Sequence, residues 1–480
     1  MKMTSLYFKI GKLLFLISII LYSCNPKDKK TEEIEDRSST ILRDYVHAPD
    51  PDFRYEIIQS TEGEIYDYYV VKMYSQNWLS KDIVDETAWW HWVSMVVPKE
   101  TAFETGMMWI GGGSKNSKMP EEPNELILQT ALGTNSIVAE IHNVPFQPLV
   151  FENDTFGERY EDAIIAYGWK KFLEAGAKDE DAIWLARLPM TKAVKLAMDV
   201  VSEIANKRHS INLEKYVVAG ASKRGWTTWT TAAVDDRVVA MVPIVIDLLN
   251  IVPSFQHHWR NYGFWAPAVD DYVREGIMEW QGSKEYDRLL EITEPYSFIE
   301  DYDMPKLVIN AAGDQFFLPD SWKFYWDDLK GEKHMQYVPN FGHDLRESDA
   351  LSNMISFYAS VINNTPRPVY NWEINGDKIF ITTDPNQKPA SIKLWSANNS
   401  ESRDFRIDVL GPKWTSSEIL VNESGRYEVE LKEPTKGFTG YFVEITYPGQ
   451  SPIKVTTGIE VLPKNYPFEP YKSENPKGSS

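Results

Sequence analysis

The ten residues Tyr216-Val-Val-Ala-Gly220-Ala221-Ser222-Lys223-Arg224-Gly225 constrain this chain more tightly than any other stretch. The apolar, β-branched run reads as a buried strand, and Gly220 halts it. The residues that follow can be helical, so Ser222 falls on a sharp turn from strand into helix. Such a turn needs small flanks, and the helix N-terminus aims free N–H groups at negative charge developing beside the serine. The usual spacing is G-x-S-x-G, whereas here the second glycine comes one place later. Taken alone, Ser222 reads equally well as an N-cap between a strand and a helix.

The surroundings decide between these readings. At 480 residues the chain exceeds what one ordinary core serves, so two domains are expected. Across residues 41–364 apolar strands alternate with amphipathic helices, as in an α/β domain with a largely parallel sheet. The strands are expected at 106–110, 136–141, 216–219, 238–246, 306–310 and, more weakly, 334–338. Residues 250–300 form a Trp- and Tyr-rich helical insertion too long for a tight crossover, which fits a cap over a site. Thr365-Pro366-Arg367-Pro368 is a stiff boundary. Beyond it, residues 365–471 alternate in short segments with the spacing of a small β-sandwich, and 472–480 read as a flexible polar tail.

An acid and a histidine follow the elbow in a telling order. Leu307–Ile309 leads into Asp314, an acid just past the end of a late strand. His343 then lies in the loop Phe341-Gly342-His343-Asp344. The order Ser222, Asp314, His343 is that of α/β-hydrolases. A serine is a weak nucleophile at its own pKa, so His343 would take its proton while Asp314 fixes the imidazole. Asp320 is the rival acid, and it also reads as an N-cap before Ser321-Trp322. Asp344 would point away from the site. Developing oxyanion charge needs two donors: the Lys223 N–H directly after the serine, and the loop Gly111-Gly112-Gly113-Ser114, where Gly112 and Gly113 offer backbone able to approach a substrate. That loop also reads as a glycine turn serving chain reversal alone.

Other candidates carry less. His257-His258 and His142 lack partners at metal-ligand spacing and read as packing residues, so neither metal nor cofactor is expected. Trp89-Trp90-His91-Trp92, Trp226 and Trp229 read either as cleft walls or as core. Fifty Lys+Arg against 70 Asp+Glu give a net charge of −20, which repels phosphate backbones and argues against nucleic acid as a partner.

The N-terminus reads as an export signal. Lys2, Lys9 and Lys12 precede the apolar run 13–21, too short to span a bilayer, and then comes Leu21-Tyr22-Ser23-Cys24. This resembles a bacterial lipobox, which makes residues 1–23 a lipoprotein signal peptide. Cys24, the sole cysteine, would carry the lipid, and residues 24–40 would be a polar tether. The expected location is the cell envelope of a Gram-negative cell, outer membrane or periplasm, with the membrane reached through that anchor.

Tyr45–Asp50 (YVHAPD), Trp109–Ser114 (WIGGGS), Gly220–Gly225 (GASKRG), Val234–Asp247 and Gly313–Pro319 (GDQFFLP) together resemble the PhoPQ-activated pathogenicity-related proteins. The resemblance runs from Ile41 to about Pro467. It implies an α/β-hydrolase fold with the Ser222, Asp314 and His343 triad. It also implies a peptide or ester substrate, since members are associated with resistance to membrane-active peptides and resemble prolyl-oligopeptidase-type peptidases. The basic residue after Ser222 is similar to that of glucuronoyl esterases, which keeps a carbohydrate-directed esterase open. A catalytically silent protein that binds peptides on its acidic, aromatic surface is the reading from another class.

Overall fold

A computed structural model describes residues 37–449 and 452–479. The expected signal peptide, Cys24 and the tether as far as residue 36 lie outside the described residues. The last part of the expected tether is helical, because α1 spans Arg37–His47. Leu42 and Val46, four apart on one face, are fully buried. The Arg43 guanidinium and the His47 ring reach the carbonyls of Ala233 and Val234, both at 2.8 Å.

Nine strands form the main sheet: β1 (Arg54–Glu62), β2 (Tyr66–Asn77), β3 (Ala88–Pro98), β4 (Thr105–Ile110), β5 (Val138–Ile141), β6 (Lys215–Ala221), β7 (Val238–Ile244), β8 (Lys306–Ala311) and β9 (Lys333–Val338). Their order is β1-β2-β3-β5-β4-β6-β7-β8-β9. From β5 to β9 neighbours run parallel. The first three strands form an antiparallel meander that joins at β5. The alternation of strand and helix does not announce this meander, which contains no helix. The order and directions are those of an α/β-hydrolase sheet with an extra strand at its N-terminal edge.

Helices cover both faces, as buried parallel strands require. Helix α2 (Glu125–Thr134) lies between β4 and β5. After β5 come α3 (Asp162–Glu174) and α4 (Arg187–His209), and α5 (Lys223–Val234) follows β6. Alternate residues of β6 feed the two cores: Tyr216 and Val218 pack with α4 and α5, Val217 and Ala219 with α2 and α9 (Ala350–Ile362). Between β7 and β8 stands the helical insertion: α6 (Ile251–Tyr262), α7 (Asp270–Arg274) and α8 (Lys284–Thr293), joined by 3₁₀ turns.

The C-terminal region is a β-sandwich. One sheet holds β10 (Tyr370–Asn375), β11 (Lys378–Thr383) and β14 (Arg426–Glu430). The other holds β13 (Thr415–Ile419), β12 (Ser391–Asn399), β15 (Phe438–Tyr447) and β16 (Ile453–Thr456), with β17 (Glu460–Leu462) also on β15. Ile379 and Ile381 from the first sheet share a core with Ile392, Val443 and Ile445 from the second. Much of the outward face of the larger sheet is covered, although Lys393 and Glu418 at its β12–β13 end meet water. Trp395, Ala397 and Phe442 point into the hydrolase core, and Tyr337 on edge strand β9 donates its N–H to Thr456 Oγ1 at 3.0 Å. The sandwich thus covers the edge that β9 would expose, and residues from Arg37 onward form one compact unit.

Residues 472–479, expected as a flexible tail, are held against the insertion. Lys477 N–H donates to the Glu279 carbonyl at 2.8 Å, Lys284 N–H to that of Ser479 at 2.9 Å, and Ser479 N–H to the Glu285 carboxylate at 2.8 Å. Polar composition alone hid these backbone and carboxylate partners.

Candidate active site

The turn between β6 and α5 places Ser222 at φ +59°, ψ −127°, a conformation costly for a residue with a side chain. The Ser222 N–H donates to the Ile244 carbonyl at 2.8 Å, tying the turn to the end of β7. Both glycines are required by contact. A Cβ on Gly220 would lie 2.8 Å from the Arg224 carbonyl oxygen, and one on Gly225 would lie 2.9 Å from that of Ile244 and 3.0 Å from that of Gly220. The late glycine is therefore the one where α5 crosses closest to β6 and β7.

Lys223 and Arg224 turn their side chains into one buried ion cluster. Lys223 Nζ lies 3.0 Å from both Glu161 and Asp162, and Arg224 Nη2 lies 2.5 Å from Glu161. Burial opposes charge on Glu161, but the two cations outweigh it and hold the carboxyl down to about 2. Lys223 is the first residue of α5, so its N–H has no partner within the helix. Its carbonyl accepts from the buried Arg187 guanidinium at 2.8 Å. Arg224 Nε also donates to the Val144 carbonyl at 2.7 Å.

The glycine loop after β4 meets this cluster. A Cβ on Gly112 would be 2.9 Å from Arg224 Nη2, and Gly113 has φ +134°, which side chains rarely adopt. Asn143 N–H donates to the Gly112 carbonyl at 2.8 Å. Gly112 and Gly113 are thus pinned beside the elbow by Arg224 and by the exit of β5.

Two loops further along the same sheet edge bring His343 to Asp314. His343 Nδ1 lies 3.0 and 2.9 Å from the two Asp314 oxygens. Asp314 is buried, and its Oδ1 also accepts the Phe316 N–H at 2.7 Å. Gln315 Oε1 accepts the His343 N–H at 2.8 Å. With Nδ1 committed to the acid, Nε2 is the nitrogen left for chemistry; it is buried and without a hydrogen-bond partner. The Phe316 ring covers the imidazole at a centroid distance of 4.3 Å. Ser222 and His343 are not hydrogen-bonded to each other, a state common in ligand-free hydrolases.

Asp320 is neither a second triad acid nor a side-chain cap. It precedes the 3₁₀ turn Ser321–Phe324 but caps no N–H. Its carboxylate faces His257 Nε2 at 2.7 Å, Arg403 at 2.7 Å and Lys323 at 2.8 Å. Burial opposes its charge, yet Arg403, His257 and Lys323 hold the carboxyl well below the usual range. His257 belongs to α6 and Arg403 to the sandwich, so three regions meet at this one carboxylate. His258 is buried and accepts the Ala266 N–H at 3.0 Å, and His142 bonds Ser94 at 3.1 Å. Among the described residues no cluster suited to a metal ion is found. Asp344 pairs with exposed Arg346 rather than with the His343 ring, and both line the cavity at His343.

Sequence reasoning missed several supporting residues. Ile407 N–H donates to the Gly313 carbonyl at 2.8 Å from the sandwich, and Asn340 and Trp414 exchange two hydrogen bonds across the same junction. Asp247, at the exit of β7, is a buried carboxyl pushed up to about 8 by burial, and it accepts from Tyr325 and Tyr337 hydroxyls. No local motif marks these residues, because their partners are far away in sequence.

Two cavities open at the site. The one at Ser222 has about 40 Å³ of free volume under the insertion, walled by Trp169, Trp226, Phe255, Val269, Phe316 and Phe317. The other, about 800 Å³, lies at His343 among Trp109, Leu126, Leu345, Leu351 and Phe316. Of the tryptophans singled out in the sequence, Trp226 lines a cavity, while Trp89 and Trp229 are core.

The chain is 35% identical over 459 residues to autocrine proliferation repressor protein A of Dictyostelium discoideum, an alignment covering 90% of this chain and 92% of that protein. Among solved structures it is similar to an acetyl xylan esterase from Paenibacillus sp. R4 at 16% identity and TM-score 0.48, covering 68% of this chain and 94% of the other. A glucuronoyl esterase from Solibacter usitatus matches at 11% identity and TM-score 0.40, covering 68% and 92%. At these identities the likeness is one of fold and says nothing about substrate. The family model of the PhoPQ-activated pathogenicity-related proteins matches residues 42–406, and with the long alignment to the Dictyostelium protein this shows that the chain belongs to that family.

Proposed function

We propose that this protein is a serine hydrolase that cleaves a peptide or ester bond through an acyl-enzyme on Ser222. The observation that carries this reading is the arrangement at one sheet edge: a strained serine at the exit of β6, and a His343–Asp314 pair at the exits of β9 and β8. In the reaction His343 Nε2 accepts the Ser222 proton as Oγ attacks, and Asp314 stabilises the imidazolium. The Lys223 N–H, with the backbone of Gly112 or Gly113, receives the oxyanion. The Lys223 side chain is committed to Glu161 and Asp162, so in this mechanism it positions the turn rather than touching substrate.

The same proposal takes the protein as an exported lipoprotein, anchored through Cys24 in the cell envelope, with peptides among its substrates. A carbohydrate-directed esterase would use the same residues. A silent binding protein is the second reading, favoured by one finding: the relative that is 35% identical bears a name describing an effect on growth rather than a reaction. Treatment with a methylphosphonyl fluoride followed by intact-mass analysis separates the two. A single adduct on the wild type that is absent from Ser222→Ala supports the hydrolase, and no adduct on either supports the binder.

A further inference from the structure

The two cavities differ about twentyfold in size, and the chemistry assigns each to one half of a substrate. In the tetrahedral intermediate the carbonyl carbon carries Ser222 Oγ, the oxyanion, the acyl substituent and the leaving group. His343 Nε2 must hand its proton to the leaving heteroatom, so the leaving group belongs on the His343 side. The acyl substituent is left with the cavity beside Ser222. Phe316 lines both spaces and leans over the His343 ring, the two planes 40° apart, so it is the partition between them.

The small cavity has room for little. A water needs about 10–15 Å³ on a comparable measure, and a cavity of about 150 Å³ holds a benzene ring. Forty cubic ångströms therefore admits about three heavy atoms, the carbonyl carbon bonded to Ser222 among them. Its polar walls are mostly spent: Lys223 on Glu161 and Asp162, Tyr272 on Asp162 at 3.0 Å, and Arg187 Nη1 on the Lys223 carbonyl, with Arg187 Nε left unpartnered over the Trp226 ring. The remaining wall is aromatic and aliphatic. The roof is fixed as well, since Phe468 N–H donates to the Arg260 carbonyl and Tyr471 N–H to Gln256, both on α6. The cleft at His343 is large, open and mainly apolar.

We infer that the substrate is an ester with a short, uncharged acyl group of two or three carbons and a bulky apolar alcohol as leaving group. This rests on the hydrolase reading above and adds the substrate class to it. Ser222 Oγ bonds the acyl carbon while its proton passes to His343 Nε2. The C–O bond then breaks, and the alkoxide takes that proton and leaves as the alcohol. Water next attacks the acyl-enzyme, giving one proton to Nε2, which returns it to Ser222 Oγ, and the short carboxylic acid departs. No co-reactant besides water is required.

Two ester series test the assignment. With 2-naphthol held constant, kcat/KM is expected to fall at least tenfold from acetate to butyrate and further to octanoate. This matches the roughly 10- to 200-fold that one methylene changes in a tight pocket. With acetate held constant, kcat/KM is expected to rise from ethyl to hexyl acetate. Val269→Ala and Phe255→Ala enlarge the small cavity and should raise the butyrate-to-acetate ratio, while Leu351→Asp should erase the gain from ethyl to hexyl. Octanoate cleaved as well as acetate, hexyl acetate no better than ethyl, or preferential cleavage of an alanyl-proline naphthylamide would each overturn the assignment. If any of these occurs while Ser222 takes the methylphosphonyl adduct, the hydrolase reading stands and only the substrate class falls. If Ser222 takes no adduct, both fall.

Discussion

Ser222 is held by its neighbours in the chain: Gly220, Gly225 and the first turn of α5 make the elbow, with one bond to Ile244 on the adjacent strand. His343 and Asp314 are held from a distance. The Gly313 carbonyl accepts from Ile407, Asn340 is bonded to Trp414, and the loop after Asp314 is fixed at Asp320 by Arg403. The proposed nucleophile is thus a product of local backbone geometry, while the Asp314–His343 pair is clamped by the sandwich. The difference gives the C-terminal region a task that its separate core would not suggest. It is a wall of the α/β domain and a support for two of the three proposed catalytic residues.

The sharpest test of the local half is Ser222→Ala. Ester turnover should fall by about 10⁴- to 10⁶-fold, as for other serine hydrolases, with the thermal unfolding midpoint not lowered. On the long-range half, Arg403→Met leaves the Asp320 carboxylate short of its buried partner, and a loss of about 3–5 kcal/mol in urea unfolding is expected. Adding Asp320→Asn to that variant should restore part of the loss. If Arg403→Met costs nothing, the clamp is not what holds the loop. Gly225→Ala, against two backbone carbonyls, should cost about 1–3 kcal/mol, measured in the same way.

A smaller effect concerns Asp247. Burial raises its folded value to about 8 from 3.8, so the folded state holds that proton more tightly. The stability it contributes is complete below pH 3.8 and is lost as pH rises through about 8. Asp247→Asn should therefore flatten the fall in urea midpoint between pH 5 and pH 8, and an unchanged slope would show that the group is ionised in the fold. Lys436→Ala removes a side chain 68% exposed beside Glu401, far from both cavities. No change in kcat or in the unfolding midpoint is expected, since exposed pairs contribute little.

What was legible in the sequence follows the same division. The parallel strands from β4 to β9, the helical insertion and the sandwich could be read because each depends on a local period or on a change of texture. The Asp314–His343 pairing could be read because the acid and the histidine each follow a strand. The β1–β3 meander could not, since its long strands are flanked by none of the helices that mark the rest of the sheet. Asp320 was read as a cap because an Asp before Ser-Trp fits that pattern, whereas Arg403 and His257 claim it from 83 and 63 residues away. Arg187 and Ile407 had no signal at all, since each matters only through a partner brought near by folding, and Asp247, the last residue of a stretch that carries the family resemblance, gave no hint of its two tyrosine partners.

The strap that crosses the insertion has a consequence for the making of the protein. Its hydrogen bonds from Tyr471 and Ser479 back to Gln256 and Glu285 span 215 and 194 residues. A chain that emerges N-terminus first, from the ribosome or from an export channel, folds from its N-terminal side first. The sheet, the elbow and the insertion are therefore all synthesised well before the segment that pins the roof over Ser222. During that interval the pocket has its floor but no fastened cover, so the nascent chain is structurally distinct from the finished one.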